Sequence, residues 1–189
     1  MKRIPNPFPV LVTLAVLLQA GTPVKVENFS LNDCNGKKIS LSDFKSSNAI
    51  VLMFIATQCP VSNAYNERYN GLYNDYSDKN VAFVGINSNK QESIEEIKKH
   101  ASDHDLKFPI LKDLNNVIAD KLDAQRTPEV YVVHPTTMDV LYHGRIDDSQ
   151  RESNIKSKDL RAALDQILNG RQVSVKDTKA FGCTIKRIN

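Results

Sequence analysis

Apolar residues recur along this chain in two rhythms, and the order of the rhythms predicts its architecture. Val24–Leu31 and Lys38–Leu41 read as short strands joined by Asn32-Asp-Cys-Asn-Gly36, where Asn-Gly is a strong hairpin signal. Ser42 and Asp43 can open a short helical turn. Ala49–Ala56 is an unbroken apolar run, the pattern of a strand buried on both faces, and Val81–Asn87 is a second apolar strand. Between them, Val61, Tyr65, Tyr69, Leu72, Tyr73 and Tyr76 recur at spacings of three and four, which predicts a helix over Pro60–Tyr76 with an aromatic packing face. Ser88–Asp103 reads as a helix with Ile94 and Ile97 turned inward, Phe108–Leu111 as a short extended piece, and Asn115–Leu122 as another helical stretch. Glu129–Val133 and Val140–Ile146 form an expected antiparallel hairpin around the turn His134–Asp139. Ser157–Asn169 closes the pattern as a helix burying Leu160, Ala163, Leu164, Ile167 and Leu168, with Gly170 as its stop. Strands alternating with helices imply an α/β layered domain: a central mixed sheet, parallel in the middle, flanked by helices, with antiparallel edge strands and an N-terminal β-hairpin extension. Arg171–Asn189 shows no periodicity.

Composition narrows the class without changing it. At 189 residues, 41% hydrophobic and 25% charged, the chain supports one domain with a proper core. A net charge of +3 with basic residues scattered among acids gives no nucleic-acid footprint. Residues 1–20 have the pattern of a secretory signal peptide: Met1-Lys-Arg, an apolar core from Pro9 to Leu18, then small Ala20. An uncleaved weak membrane tether is the alternative reading of the same segment. Either places the domain in an oxidising, secreted or periplasmic (extracytoplasmic) space. The expected division is a signal peptide over 1–20, a domain over 24–169 and a tail over 170–189 that carries Cys183.

The chemistry centres on Cys59. It ends the run Val51–Gln58 and is followed at once by Pro60, a residue suited to the first turn of a helix. A cysteine at a strand-to-helix junction meets free N–H groups and the positive end of the helix dipole, and both favour the nucleophilic thiolate. Three cysteines are an odd count, so one pair and one leftover thiol is the simplest arithmetic.

In four places, in order, the sequence resembles the thioredoxin and peroxiredoxin superfamily. These are the hairpin Leu31–Phe44, strand–Cys59-Pro60-Val-Ser62, the Thr-Pro loop of Arg126-Thr127-Pro128-Glu129, and Tyr142-His-Gly-Arg-Ile-Asp-Asp148. Within it, the chain is similar to the peroxiredoxin-like (redoxin, AhpC/TSA-type) group, which also shares Gly182-Cys183-Thr184-Ile185. The resemblance implies a thioredoxin-like fold, Cys59 as the active thiol, and a cis bond at Thr127–Pro128 presenting a backbone edge to substrate. Pro60, Ser62, Thr127 and Pro128 would then line the substrate position. No cofactor or metal is implied. There are departures. Ser62 stands where thioredoxins have a second cysteine. Leu52 and Ala56 stand where peroxiredoxins have a proline and a hydroxyl residue, with Thr57 one position off as a substitute. The strand before Cys59 lacks the buried carboxylate of thioredoxins.

These features point to a thiol-dependent oxidoreductase acting on a peroxide or a protein disulfide and recharged by an external thiol reductant. In the peroxiredoxin-like, antioxidant form, Cys59 attacks and Cys183 in the tail resolves, with Cys34 as a competitor; a permanent disulfide or a buried structural cysteine are other uses of Cys183. Arg126 is the cation expected to stabilise the thiolate, while Arg145 reads as a surface ion pair with Asp147 or Asp148. Other readings are single-thiol exchange at a Cys-x-x-Ser site, a copper-binding module drawing on His134 and His143 or on the His100/His104 pair, and a redox-inactive adaptor.

Overall fold

The computed structural model of the protein describes residues 24–188; the expected signal segment lies outside them. Five strands form the central sheet in the order β5-β4-β3-β7-β8: β3 (Ala49–Phe54), β4 (Val81–Asn87), β5 (Ile110–Lys112), β7 (Glu129–Val133) and β8 (Val140–Gly144). The pairs β3–β4 and β4–β5 are parallel, whereas β3–β7 and β7–β8 are antiparallel. The expected hairpin is therefore present, but only β8 is an edge. Strand β7 is buried along its whole length and lies against β3, which explains its composition.

The central strand shows why the sheet is two-sided. Every residue of β3 is apolar and buried, and successive side chains point to opposite faces. Ala49, Val51 and Met53 join a core with Tyr65, Tyr69, Leu72 and Tyr76 of the tyrosine face and Leu160, Ala163 and Leu164 of the closing helix. Ile50, Leu52 and Phe54 join a second core with Ile39, Leu41, Ile118 and Ala124. The N-terminal hairpin β1 (Ser30–Asn32) and β2 (Lys38–Ser40) and helix α4 (Val117–Lys121) belong to that second side.

Local chemistry trims the expected elements. The helix over 60–76 is two pieces, α1 (Pro60–Asn63) and α2 (Asn66–Tyr76), because the chain tightens at Ala64–Tyr65, where Tyr65 N–H bonds to Ser62 O. The next helix, α3 (Ile94–Asp103), starts six residues later than expected, at a Ser93/Glu96 capping box. Ile97 is buried there, but Ile94, expected inward, is 41% exposed in the first turn. Helix α4 begins after left-handed Asn115 and Asn116, and the Asp113 carboxylate accepts the N–H groups of Ile118 and Ala119. Of the expected first strand, Val24 and Val26 instead hydrogen-bond beside the β7–β8 turn, at Val140 and Met138. Helix α5 (Asp159–Leu168) ends before Gly170, whose φ of +67° suits a glycine stop.

The aperiodic tail is ordered onto the domain. Lys176 and Thr178 bond to the His143 backbone, Val173 and Ile185 are buried, and β9 (Cys183–Thr184) pairs antiparallel with β6 (Arg126–Thr127). Among the described residues, no helix is long and apolar enough to cross a membrane.

Candidate functional site

The end of β3 delivers Cys59 to the start of α1. Cys59 is the N-cap residue, Pro60 is the first helical residue, and the Ser62 N–H points at Cys59 Sγ from 3.3 Å. A donor at that position favours negative charge on sulfur. On the opposite side the Thr127 carbonyl oxygen lies 3.3 Å from the same sulfur, where it can accept a thiol proton once sulfur carries one. Thr127–Pro128 is a cis peptide, as the resemblance implies. Cys59 is 3% exposed, and its sulfur is bonded to that of Cys183, with Cα atoms 5.9 Å apart. The bridge spans 124 residues of sequence.

Ser62 fills the place of a nearby second cysteine with a different task. Its hydroxyl accepts Ala56 N–H at 3.1 Å and shares a 3.1 Å bond with Tyr69 OH, so it ties the strand end to α2. Thr57 acts mainly through its backbone: its N–H goes to Glu92 at 2.7 Å and its carbonyl accepts from Asn63 Nδ2 at 2.9 Å. The Thr57 hydroxyl is buried and has no hydrogen-bond partner. Arg126 does not reach toward the Cys59 sulfur. Its side chain is exposed and donates to Thr184 Oγ1 at 2.9 Å and to Gly182 O at 3.4 Å, clasping the tail strand instead. Arg145 pairs with Asp159 at 2.7 Å, while Asp147 is held by Arg68 and by Tyr65 OH, each at 2.8 Å.

Cys34, the competing thiol, is free and buried; burial pushes its pKa up, and Asp33 adds to the effect. A neutral, enclosed thiol of that kind is a poor nucleophile. Three of the four histidines are hydrogen-bonded away from the sulfur, and the His104 ring packs beside that of His100. His143 bonds Glu129, His134 Nδ1 accepts from the Thr136 and Thr137 N–H groups, and His100 bonds Asn66. Among the described residues, no group of three or more His, Cys, Asp or Glu side chains is placed to hold a metal ion.

Two buried carboxylates that sequence reasoning missed support the site from below. Glu92, 1% exposed, accepts four N–H donors: Thr57 and Gln58 backbone at 2.7 and 3.2 Å, and Asn87 and Asn89 side chains at 2.6 and 2.8 Å. Lys112 lies beside it and donates to Asn87 Oδ1, Asn89 O and Glu92 O; burial lowers its pKa. Asn89 Oδ1 also accepts Lys186 N–H at 2.7 Å, so one network holds both the loop before Cys59 and the chain after Cys183. Glu129 accepts the Gln125 and Arg126 N–H groups, both at 2.8 Å, and so fixes the strand before the cis bond. His143 Nε2 completes it at 2.7 Å. A lone acid directly after Thr-Pro in an otherwise apolar strand was the available signal for Glu129.

Fold and site together define a thioredoxin-like protein with a cysteine pair at the junction of its central strand and first helix. The sequence profile of the AhpC/TSA family matches residues 23–147, and the chain belongs to that family. The match stops before the segment that carries Cys183. A protein described as thiol-disulfide oxidoreductase ResA, from Bacillus thuringiensis subsp. konkukian (strain 97-27), is 33% identical over 86 residues, 46% of this chain and 48% of that one. The chain thus spans about half the length of this curated relative. Among solved structures, an uncharacterized conserved protein from Geobacillus kaustophilus superposes with a TM-score of 0.81 at 35% identity, over 87% of this chain and 90% of that one. A hypothetical protein from Sinorhizobium meliloti 1021 also gives 0.81, at 30% identity over 90% and 96%.

The Glu129–His143 pair makes stability pH-dependent with a definite sign. Burial alone would raise the Glu129 pKa, but the His143 bond and the two backbone N–H groups outweigh it and hold it below the ordinary value. The Glu129 bond raises the His143 pKa against the opposing effect of burial. The depressed carboxylate stabilises the fold above its unfolded value, and that part is lost as pH falls through its folded value. The raised imidazole stabilises fully below its unfolded value, and that part is lost as pH rises through its folded value. The pair therefore contributes most between roughly pH 4.5 and 6.5. Urea unfolding of wild type and His143→Asn from pH 3 to 9 should show the largest stability gap inside that window, narrowing on both sides. A gap independent of pH contradicts the assignment.

Proposed function

We propose that the protein is a thiol–disulfide oxidoreductase in which Cys59 attacks and Cys183 resolves. The observation that carries this reading is the Cys59–Cys183 bridge formed at a helix N-terminus, with the Ser62 N–H on the attacking sulfur. In the reduced state, Cys59 thiolate attacks one sulfur of a partner disulfide. A Cys59–partner disulfide forms, and the partner's other sulfur leaves with the electron pair and takes a proton. Cys183 thiolate then attacks the Cys59 sulfur, releasing the partner's second thiol and closing the Cys59–Cys183 bond. The partner disulfide is reduced and the protein dithiol is oxidised, and the same steps run backwards when the potentials are reversed.

Recharging is expected to begin at Cys183. Cys59 is buried beneath the tail, whereas Cys183 is partly exposed. A reductant thiolate attacking Cys183 expels Cys59 as thiolate, the form that the Ser62 N–H stabilises. An external dithiol then releases Cys183 by the same exchange.

A peroxide route would reach the same bridge. Cys59 would take one peroxide oxygen as sulfenic acid, and Cys183 would expel it as water. The disulfide route is favoured because the side chains at Leu52 and Ala56 offer no polar group. The supports for an extracytoplasmic location are the basic start and apolar run of residues 1–20; cell fractionation that recovers the chain only from the cytoplasm would remove it.

The exchange order can be trapped. Cys183→Ser protein incubated with a disulfide-containing protein should accumulate a mixed disulfide through Cys59, wild type should not, and Cys59→Ser should form none. Mass spectrometry of non-reduced adducts reads the result. Adducts that persist in Cys59→Ser would end the proposal.

A further inference from the structure

The tail occupies a strand edge beside the reactive sulfur, and the way it is seated describes what else fits there. Cys183 is registered opposite Thr127, and Thr184 opposite Arg126. The ladder continues with Ile185 N–H donating to Gln125 O at 3.0 Å. Alternate side chains of an extended segment point the same way. Along the tail, Phe181 packs against the first core near the Tyr65 ring (centroids 6.4 Å apart), Cys183 meets Cys59, and Ile185 is 3% exposed within the second core. Thr184 takes its hydrogen bond from Arg126.

Gly182 is the most restrictive position. Its φ is +139°, and a Cβ there would overlap the Thr127 carbonyl and approach Pro128 N at 3.3 Å. These are backbone atoms, held by the Glu129 carboxylate one step upstream, so they cannot yield as a flexible side chain would. A chain seated in this register must have glycine immediately before the cysteine that meets Cys59.

We propose that the tail is an internal stand-in for the partner, and that the site selects partner chains presenting an extended aromatic–Gly–Cys–Thr–aliphatic segment. This deepens the exchange reading above and rests on it. When Cys59–Cys183 is reduced, the tail strand leaves the β6 edge, and a partner segment pairs there with its cysteine sulfur against Cys59. Main-chain hydrogen bonds along β6 supply affinity, and the positions before and after the cysteine supply selectivity.

The test uses the full-length Cys183→Ser protein and peptides corresponding to residues 180–186, Ala-Phe-Gly-Cys-Thr-Ile-Lys, each cysteine carrying a thionitrobenzoate disulfide. Cys59 thiolate attacks the peptide sulfur, the new S–S bond forms as the old one breaks, and thionitrobenzoate leaves with the electron pair and absorbs visible light. Mass spectrometry identifies the protein–peptide adduct, and rates are normalised to those with a small free thiol. The Gly peptide should form adduct at least about tenfold faster than its Gly→Ala version, and faster than its Ile→Asp version. Equal normalised rates overturn the selectivity while leaving Cys59 as the attacking thiol. No adduct from any peptide overturns both.

Discussion

The pairing of the tail strand with the two residues before the cis peptide is the constraint on which the rest depends. It brings together two cysteines 124 positions apart, which spacing alone could not connect. It also buries Cys59 under a segment of the same chain. The sulfur sits between a donor that favours its charged form, Ser62 N–H, and an acceptor that favours its protonated form, the Thr127 carbonyl.

Buried polar groups hold this arrangement in place. An unpaired buried carboxylate is costly, and Glu92 meets that demand with four donors drawn from the loop before Cys59 and from Asn87 and Asn89. Asn89 of that cluster, and Asn116, whose amide reaches the Ser88 carbonyl, then accept N–H groups of the tail. Glu129 does the equivalent work under β6. The two halves of the site, the Cys59 loop and the strand that receives the tail, are each pinned by one carboxylate, so a shift in either would be felt at the sulfur.

Much of this was legible from residue order because β3 is uniformly apolar and ends at Cys59-Pro60, and because the Tyr65–Tyr76 face repeats with helical period. The hairpin turn at Asn35-Gly36 and the stop at Gly170 also follow from local backbone chemistry. The later start of α3 was written in Ser93-x-x-Glu96 but was hidden by the polar run before it, which forms buried network rather than helix. The tail was opaque for a different reason. Residues 171–188 gain their structure from pairing with distant strands, and such contacts leave no periodicity in a local window. The contacts of Arg126 are hidden for the same reason, since its partners, Gly182 and Thr184, lie in that tail.

Amide hydrogen exchange measured on oxidised and reduced protein tests most directly whether the bridge holds the tail on the strand edge. The account predicts that the Ile185 and Lys186 amides, which donate to Gln125 O and Asn89 Oδ1, lose at least about tenfold of their protection on reduction while amides of β3 and β4 keep theirs. Unchanged protection of Ile185 and Lys186 in the reduced protein would contradict it, because the tail would then be a fixed part of the domain and Cys59 would stay covered.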